Sequence, residues 1–484
     1  MSITSALSSA LSGLTANARA ASVVASNLAN VQTEGYGRRD LDLSHARYGS
    51  SGGVRVVGVT RHVDAGVLSD RRMADGALSH SETRAGFLTA VQSAVGTPDQ
   101  PGSLSARIAA LEAALVSAAS RPDANDRLQS VSFRAAELTQ GLNAASSTIQ
   151  NQRMAAEESI SAAVRSLNVD LAQVRDLNLQ IQDAQRGGAD SSGLLDHRQA
   201  VIDRIADLIP VREVPRGDGA VALMTPGGAL LVDRSAVHLE FTPRNVIEPH
   251  MTMEGGLLSG ISIDGQEISP GDPRSPIGGG RLSALFEVRD ALATDAQQQL
   301  DAVARDMIER FQGPSFDATL PPGEAGLFTD QGDPFDSAFE IGIAGRMQLN
   351  GRVDVRGDNE VWRLRDGLGA AGPGATGNAT LLGAMSATLS ERNPLVSGSL
   401  GAGAGTVSQH VNRLVSHLAQ SAQAEDRTTS FAAVRQSELQ TRLLSDGVNS
   451  DAETQRLLLI EQAYGANARM IQTLDEMMQT LLRI

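Results

Sequence analysis

Histidine side chains are the residues of this chain whose type and spacing come closest to metal or acid-base chemistry. His410 and His417 lie seven residues apart, a spacing that places two side chains on one face of a helix. The chain contains no HExxH sequence and no comparable set of ligands at the spacing of a zinc site. We therefore predict solvent-facing or capping positions for the histidines and no bound metal.

Other catalytic and cofactor-binding patterns do not appear in the sequence. The chain has no Cys, so thiolate ligands, cysteine nucleophiles and disulfides are excluded. The glycine-rich run at 401–405 lacks the Gly-Lys-Ser/Thr ending of a phosphate loop, which indicates a linker. Carboxylate pairs are plentiful, but nothing singles out two of them for glycoside hydrolysis, and no GxSxG sequence is present. The sequence predicts no catalytic residue, no cofactor and no enzymatic activity.

The charge balance argues against nucleic acid as a partner. The net charge is −15, and the 41 basic residues are all Arg, scattered among carboxylates without a basic stripe. No run of about 18 apolar residues exists, so we expect no membrane partner. Aromatic residues make up only 3% of the chain, which favours helix-on-helix cores of Leu, Ile, Val and Ala.

Two amphipathic segments at the chain ends are the first elements that the sequence predicts. In both, apolar residues alternate three and four apart, which is typical of a coiled-coil seam on a helix. Their position at opposite ends predicts that the two helices pack together. The N-terminal seam comprises Leu7, Leu11, Leu14, Ala18, Ala21, Ala25 and Leu28, and the C-terminal seam comprises Leu457, Ile460, Tyr464, Asn467, Ile471, Leu474, Met478 and Leu481.

The N-terminal seam is poor in large side chains. Burying its four Leu residues stabilises the helix by roughly 6–12 kcal/mol, whereas ordering about 28 residues costs about 1–2 kcal/mol each. Helical hydrogen bonds offset only part of this cost. We therefore expect the terminal helices to be weakly ordered in the free subunit and to become fixed by neighbouring subunits.

The interior of the chain alternates between helical and strand-like stretches. A heptad pattern runs from 128 to 181 after Pro122 and is broken only by Arg153 and Asn178. The other predicted helices are 77–95, 103–119, 193–209, 282–311, 379–391 and 405–445, and the predicted strand regions are 54–63, 211–232, 339–349 and 352–364.

These elements predict a multidomain, mainly α fold with inserted β structure. Terminal helices at 1–50 and 446–484 form a coiled coil. A long-helix bundle domain combines 51–210 with 281–312 and 376–445. One or two β-rich outer insertions comprise 211–280 and 313–375.

Sequence motifs at both ends resemble those of the axial flagellar proteins, which include rod, hook and hook-associated proteins. The N-terminal segment is similar to the pattern N-L-A-N-V-x-T-x-G-Y of these proteins, and the C-terminal segment to Q-A-Y-x-A-N-A-R-x-I-Q-T. The matching residues are Asn27, Leu28, Ala29, Asn30, Thr33, Gly35 and Tyr36 near the N-terminus, and Gln462, Ala463, Tyr464, Asn467, Ala468 and Arg469 near the C-terminus.

Interior segments resemble the hook-associated protein 1 family more than the β-rich hook protein. They are Arg121-Pro122 before the long helix, 194–198, and 279–290 at the return to helix. This resemblance implies a structural protein of the hook-filament junction, with terminal helices in an inner tube, a helical domain outside it and a β domain facing the exterior.

The resemblance also implies partners and a location. Subunits would leave the cell through the flagellar type III apparatus without a cleaved signal peptide and self-assemble through their terminal helices as a ring-like layer. This extracellular layer would lie between the hook protein and a second junction protein, hook-associated protein 3, and filament assembly would require it. A cytoplasmic export chaperone would bind the C-terminal amphipathic region before assembly.

The residues predicted to form the assembly interface come from both terminal helices. They are Leu7, Leu11, Leu14, Leu28, Leu457, Ile460, Tyr464, Asn467, Ile471, Leu474, Met478 and Leu481. Alternatives that the sequence leaves open are a hook or rod axial protein, a secreted hydrolase carried on a helical scaffold, and an adhesin or surface antigen.

Overall fold

A computed structural model describes residues 3–33, 35–45, 52–271, 275–401 and 403–483. Within these ranges the chain is mainly helical with small antiparallel sheets, which confirms the coarse fold class. None of the described helices is both long and apolar enough to span a bilayer. The helices are α1 (Ile3–Ala29), α2 (Ala65–Val95), α3 (Leu104–Ser120), α4 (Asn125–Arg186), α5 (Ser192–Leu208), α6 (Arg281–Glu287), α7 (Ala293–Arg310), α8 (Ile343–Arg346), α9 (Arg363–Asp366), α10 (Thr380–Ser390), α11 (Val407–Ser445) and α12 (Ser450–Leu482).

The described strands are short and pair only with antiparallel neighbours. They form a β1–β2 hairpin, two three-stranded sheets (β3–β4–β5 and β6–β7–β8) and a β9–β10 pair. The strands are β1 (Arg38–His45), β2 (Val54–His62), β3 (Arg212–Pro215), β4 (Val221–Met224), β5 (Leu230–Val232), β6 (Leu239–Glu240), β7 (Ile261–Ile263), β8 (Gln266–Ile268), β9 (Phe328–Asp330) and β10 (Met347–Leu349).

Helix α4 is the longest described element and organises the interior of the chain. Its 62 residues extend over about 93 Å. The apolar positions of its predicted heptad are buried, among them Leu128, Leu142, Ile160 and Leu171. They belong to one hydrophobic core that also contains residues of the neighbouring helices and of both insertions. The long-helix prediction is therefore confirmed, and the insertions pack on the helix instead of forming separate cores.

Polar residues of α4 attach the first insertion through hydrogen bonds to backbone atoms. Asn178 donates to Val221 O at 2.8 Å and accepts from Val221 N at 3.2 Å. Asn168 makes the same pair of bonds with Leu239, at 2.8 and 2.9 Å. Each side-chain amide thus satisfies backbone groups of a strand. This explains why Asn178 interrupts the apolar heptad.

Arg153, the other exception in the heptad, is buried and binds the loop that precedes β7. Its guanidinium donates to the carbonyls of Glu248, Pro249 and Met251, and its Nε donates to Arg289 O at 2.9 Å. Burial, the largest influence, lowers the pKa of Arg153. The four carbonyl acceptors replace water around the buried cation.

The predicted β-rich character of 313–375 is wrong for the residues that the structure describes. Among the described residues, β9 and β10 are the only strands there, and apart from β10 the predicted strands at 339–349 and 352–364 are turns and short helices. Backbone hydrogen bonds within the loops and bonds from polar side chains satisfy these turns in place of a sheet. Asp317 accepts from Leu368 N, Asn350 donates to Gly326 O, and Asp366 accepts from Gly374 N.

Two further predictions need correction, and one strand was missed. Helix α2 begins at Ala65, where Asp64 caps it, twelve residues before the predicted start at 77. The sequence did not predict this first part because Arg71 and Arg72, which form ion pairs, interrupt its apolar period. Strand β1 was not predicted. His410 is fully buried, with Nε2 2.8 Å from Asn393 O, so it is not solvent-facing; His417 is exposed.

Asp301 of α7 attaches the second insertion to the bundle. Its carboxylate accepts from the backbone N–H groups of Gly342 and Ala344 at 2.7 and 2.9 Å, and from Gln297 Nε2 at 2.9 Å. Burial raises the pKa of Asp301 and outweighs the lowering by these hydrogen bonds and by nearby Arg346, so that the pKa is about 6. At a pH between 3.8 and about 6, the folded chain therefore keeps a proton on Asp301 that the unfolded chain releases.

We expect this carboxyl group to make stability fall as pH rises. Between its ordinary value of 3.8 and about 6, the folded state binds more protons than the unfolded state. The free energy of unfolding should therefore fall by about 3 kcal/mol across that pH window, and this group should cause no further change above it. Urea unfolding of the wild type and of Asp301→Asn from about pH 4 to pH 7 measures this difference. Parallel stability curves for the two proteins would contradict the assignment.

Candidate assembly interface

Helices α1 and α12 lie against each other, so the prediction that the chain ends pack together is confirmed. The approach is close near Gly13, because a side chain there would lie 2.9 Å from Asn467 Nδ2. The buried residues of α1 are Ala10, Ala16, Val24 and Asn27. The absence of a side chain at Gly13 allows the two helices to approach closely at this point.

The residues predicted for subunit assembly divide between the α1–α12 contact and the surface. Leu474 is buried, and Leu11 is 57% exposed. The half-buried residues are Leu7, Leu14, Leu457, Ile460, Asn467 and Ile471; the exposed ones are Leu11, Leu28, Tyr464, Met478 and Leu481. Within one chain the two helices therefore cover only part of their apolar surface.

Further apolar residues that the sequence analysis did not select are also exposed on α12. They are Leu458, Leu459, Met470, Met477 and Leu482. Leu459 is 65% exposed. Apolar patches of this kind mark interaction sites in soluble proteins. Helix α12 thus presents apolar side chains outside its contact with α1.

Asn27 of the N-terminal motif connects α1 to the start of β1. Its side chain is fully buried. Nδ2 donates to Arg39 O at 2.8 Å, and Oδ1 accepts from Arg39 N at 3.0 Å and from the Tyr36 hydroxyl at 2.9 Å. The amide therefore satisfies strand backbone at the point where the chain reverses after α1.

The remaining N-terminal motif residues form the turn between these two elements. Asn30 Nδ2 donates to Ser26 O at 2.9 Å, and the Thr33 hydroxyl donates to Asn30 Oδ1 at 3.2 Å. Gly35 has a φ of +80°, a conformation that favours glycine. Leu28 and Ala29 are exposed. The motif thus encodes a specific helix-to-strand turn.

Asp196 of α5 anchors this turn and the hairpin to the helical bundle. Its carboxylate pairs with Arg39 Nη2 at 2.7 Å and with Arg61 Nε at 2.6 Å, and it accepts from Gly37 N at 3.1 Å. Arg39 and Arg61 are cross-strand partners in the β1–β2 hairpin. The Arg39 guanidinium also lies over the Tyr36 ring, 4.7 Å from its centroid. One carboxylate therefore joins both strands to the bundle.

Asp40 of β1 binds the C-terminal helix. It forms ion pairs with Arg456 of α12, with Arg38 at 3.1 Å and with His62 Nε2 at 3.0 Å. Burial alone would raise the pKa of Asp40, but Arg456, Arg38 and His62 together hold it below its ordinary value. The hairpin therefore contacts α1, α12 and α5.

The structure places the two family motifs at different points along the helix pair. Asn30, Tyr36, Gly447 and Val448 line one cavity of about 120 Å³, so the N-terminal motif lies near the start of α12. The C-terminal motif lies beside the middle of α1, where Gly13 meets Asn467. Of its residues, Asn467 and Ala468 are half-buried, and Gln462, Ala463, Tyr464 and Arg469 are exposed.

The sequence analysis missed the charged residues of this junction. Asp196 lies in a segment that carried the resemblance, but nothing in its spacing pointed to Arg39 or Arg61. Arg61 interrupts the apolar alternation of β2, which is the one local signal of a special role. Among the described residues, no three His, Asp or Glu side chains are placed to share a metal ion. The junction is an arrangement of ion pairs and helix contacts.

Comparisons with known proteins match the helical core and both chain ends. A family model described as flagellar hook-associated protein FlgK helical domain matches residues 88–313. A model described as flagella basal body rod protein matches residues 7–36, and one described as flagellar basal body rod FlgEFG protein C-terminal matches residues 439–484.

Relatives and a solved structure carry corresponding names. Flagellar hook-associated protein 1 of Bacillus subtilis (strain 168) is 23% identical over 98% of this chain and 97% of its own length. The protein of the same name from Salmonella typhimurium is 26% identical over 48% of this chain and 43% of its own. The structure of the flagellar hook junction protein FlgK from Burkholderia pseudomallei matches with a TM-score of 0.44 and 21% identity, over 54% of this chain and 46% of that one. The helical core thus matches the flagellar hook-associated protein FlgK helical domain, both ends match rod-protein models, and nearly the whole chain is similar to a protein named flagellar hook-associated protein 1.

Proposed function

We propose that this chain is a structural subunit of the bacterial hook-filament junction that self-assembles through its terminal helices. The observation that carries the proposal is the α1–α12 pair, which leaves apolar side chains such as Leu11 and Leu459 exposed. Burying a Leu side chain stabilises a contact by about 1.5–3 kcal/mol. Burial of several such residues in each copy therefore favours stacking of subunits.

The proposed partners follow from the similarity to flagellar hook-associated protein 1. Copies of the chain form a ring-like layer, with the flagellar hook protein on one side and hook-associated protein 3 on the other. The layer is extracellular, and subunits reach it by type III export without a cleaved signal peptide. A cytoplasmic export chaperone covers the apolar residues of α12 before assembly, and pull-downs with the full chain and with a chain truncated near residue 440 test this contact.

The proposed domain arrangement has three parts. Residues 1–50 and 446–484 form the inner coiled-coil part, and 51–210, 281–312 and 376–445 form the helical bundle. Residues 211–280 and 313–375 form the outer part. The boundary between 50 and 51 lies outside the described residues, but β1 and β2 on either side of it form one hairpin. The hairpin therefore belongs with the terminal helices, and the boundary is better placed before α2.

Immunolabelling of detached flagella tests the junction assignment. Antibody against the full chain should label one band where hook meets filament, because a junction layer occupies a single axial position. Labelling along the whole hook, or at the rod, would instead support a hook or rod protein. Both chain ends match rod-protein models, so the experiment must distinguish a hook or rod protein from a junction protein.

A further inference from the structure

The tripeptide Arg-Gly-Asp occurs twice in the chain, at 216–218 and at 356–358. All six residues are exposed. The first copy lies between β3 and β4, and the second lies in the turn-rich insertion between β10 and α9. The two copies differ in what their side chains contact.

Backbone hydrogen bonds hold the second copy in a defined turn. Gly357 N and Asn359 N both donate to Asp354 O, at 2.9 and 3.0 Å, and Asp358 N donates to Gly351 O at 3.1 Å. A side chain at Gly357 would lie 2.6 Å from Gly351 O, so the turn requires glycine at its centre. Buried Val353 and Val361 anchor the segment on both sides. The turn is therefore ordered before any ligand binds, which lowers the entropic cost of recognition.

The charged side chains of the second copy are available to a partner. Within the residues that the structure describes, neither the Arg356 guanidinium nor the Asp358 carboxylate has a hydrogen bond or ion pair. In the first copy, by contrast, Arg216 pairs with Asp233 at 3.0 Å and Asp218 pairs with Arg186 at 3.1 Å. The charged side chains of the first copy thus form ion pairs within the chain, whereas those of the second copy do not.

The second copy also lies far from the terminal helices. Ser132 near the start of α4 donates to Val353 O at 2.7 Å, next to this turn. The first copy contacts Arg186 at the opposite end of α4, on the side of α5 and the hairpin. At 1.5 Å per residue, Ser132 and Arg186 are about 80 Å apart along the helix. Under the proposed function, with the terminal helices in the tube, the second copy points outward.

We propose that the turn at 356–358 is a recognition site for an Arg-Gly-Asp-binding adhesion receptor of the integrin class. Such a receptor holds a divalent cation, whose preferred ligands are carboxylate oxygens, and Asp358 supplies that carboxylate. A carboxylate of the receptor pairs with the planar guanidinium of Arg356. This adhesive activity is separate from the junction role and uses a surface that subunit stacking through α1 and α12 does not require.

Surface plasmon resonance with a purified Arg-Gly-Asp-binding integrin and the purified full chain tests the proposal. The wild type should bind in Mg²⁺, and EDTA or a cyclic Arg-Gly-Asp peptide should abolish binding. Asp358→Glu keeps the charge but displaces the carboxylate by one methylene, and should weaken binding about tenfold or more. Asp218→Glu, the matched change in the engaged copy, should bind like the wild type.

Circular dichroism melting separates loss of recognition from loss of folding. Asp358 is exposed and its side chain is unpaired, so Asp358→Glu should melt like the wild type. Absence of saturable wild-type binding overturns the proposal. So does binding that survives EDTA, or that Asp358→Glu leaves unchanged. Failure of junction labelling would contradict the proposed function and leave this binding measurement unaffected.

Discussion

Replacing Leu11 with Glu should abolish attachment of filaments to hooks while leaving the free subunit folded. Leu11 is 57% exposed on α1 within one chain, so the substitution should change subunit stability by no more than about 0.5 kcal/mol. Under the proposed assembly the same position meets a neighbouring copy, and burying an unpaired carboxylate there would cost several kcal/mol. Each 1.4 kcal/mol is about a tenfold loss of affinity, so assembly should weaken by two or more orders of magnitude.

Swimming motility and electron microscopy of complemented cells measure this effect. Val169→Glu provides the matched control, because Val169 is 67% exposed and lies on α4, away from the terminal helices. The control strain should swim normally. Normal motility of the Leu11→Glu strain would contradict assembly through this face of α1.

Replacing Asp196 with Asn should release the hairpin from the helical bundle. The substitution keeps the shape of the side chain but leaves Arg39 and Arg61 without their shared anion. The Asp196 side chain is 16% exposed, so its ion pairs are intermediate between fully buried and surface ion pairs. Their loss should therefore weaken the attachment of the hairpin to α5 by about 2 kcal/mol. Hydrogen exchange of β1 and β2 should then accelerate about thirtyfold, while α4 keeps its protection.

Asp176→Asn is the matched control for this experiment. Asp176 also pairs with an arginine, Arg175 at 2.7 Å, but its side chain is 52% exposed. An exposed pair contributes little to stability, so exchange in the hairpin should remain unchanged. Equal exchange rates for the wild type and Asp196→Asn would mean that Asp196 does not hold the hairpin.

The junction connects the packing of the bundle to the proposed assembly. Asp196 joins the hairpin to α5, Asp40 joins it to Arg456 of α12, and Asn27 joins it to α1. We therefore expect a displaced hairpin to shift both terminal helices relative to the bundle. A subunit in which Asp196 is neutralised should fold its core normally and still assemble poorly, because its terminal helices no longer keep a fixed orientation relative to the helical bundle.

The long helices could be predicted from the sequence because their signal is local. The apolar period of α4 appears within each heptad. The helix begins shortly after Pro122 and ends before Gly187, because the backbone preferences of proline and glycine interrupt a helix. The same period located α1 and α12. Local spacing failed for 352–364, where alternating apolar residues lie in turns whose backbone N–H groups bind mostly backbone carbonyls within the same loop instead of a neighbouring strand.

The amino-acid sequence by itself determined the positions of the long helices, the apolar stripes of the two ends and the motifs that mark the family. Only the tertiary structure decided which polar side chains join these parts. Arg39 reaches Asp196 across 157 positions of chain, and Asn178 reaches Val221 across 43. Helical period is a short-range property of side-chain spacing, whereas an ion pair or a side-chain bond to a distant backbone exists only after the core has brought both partners together.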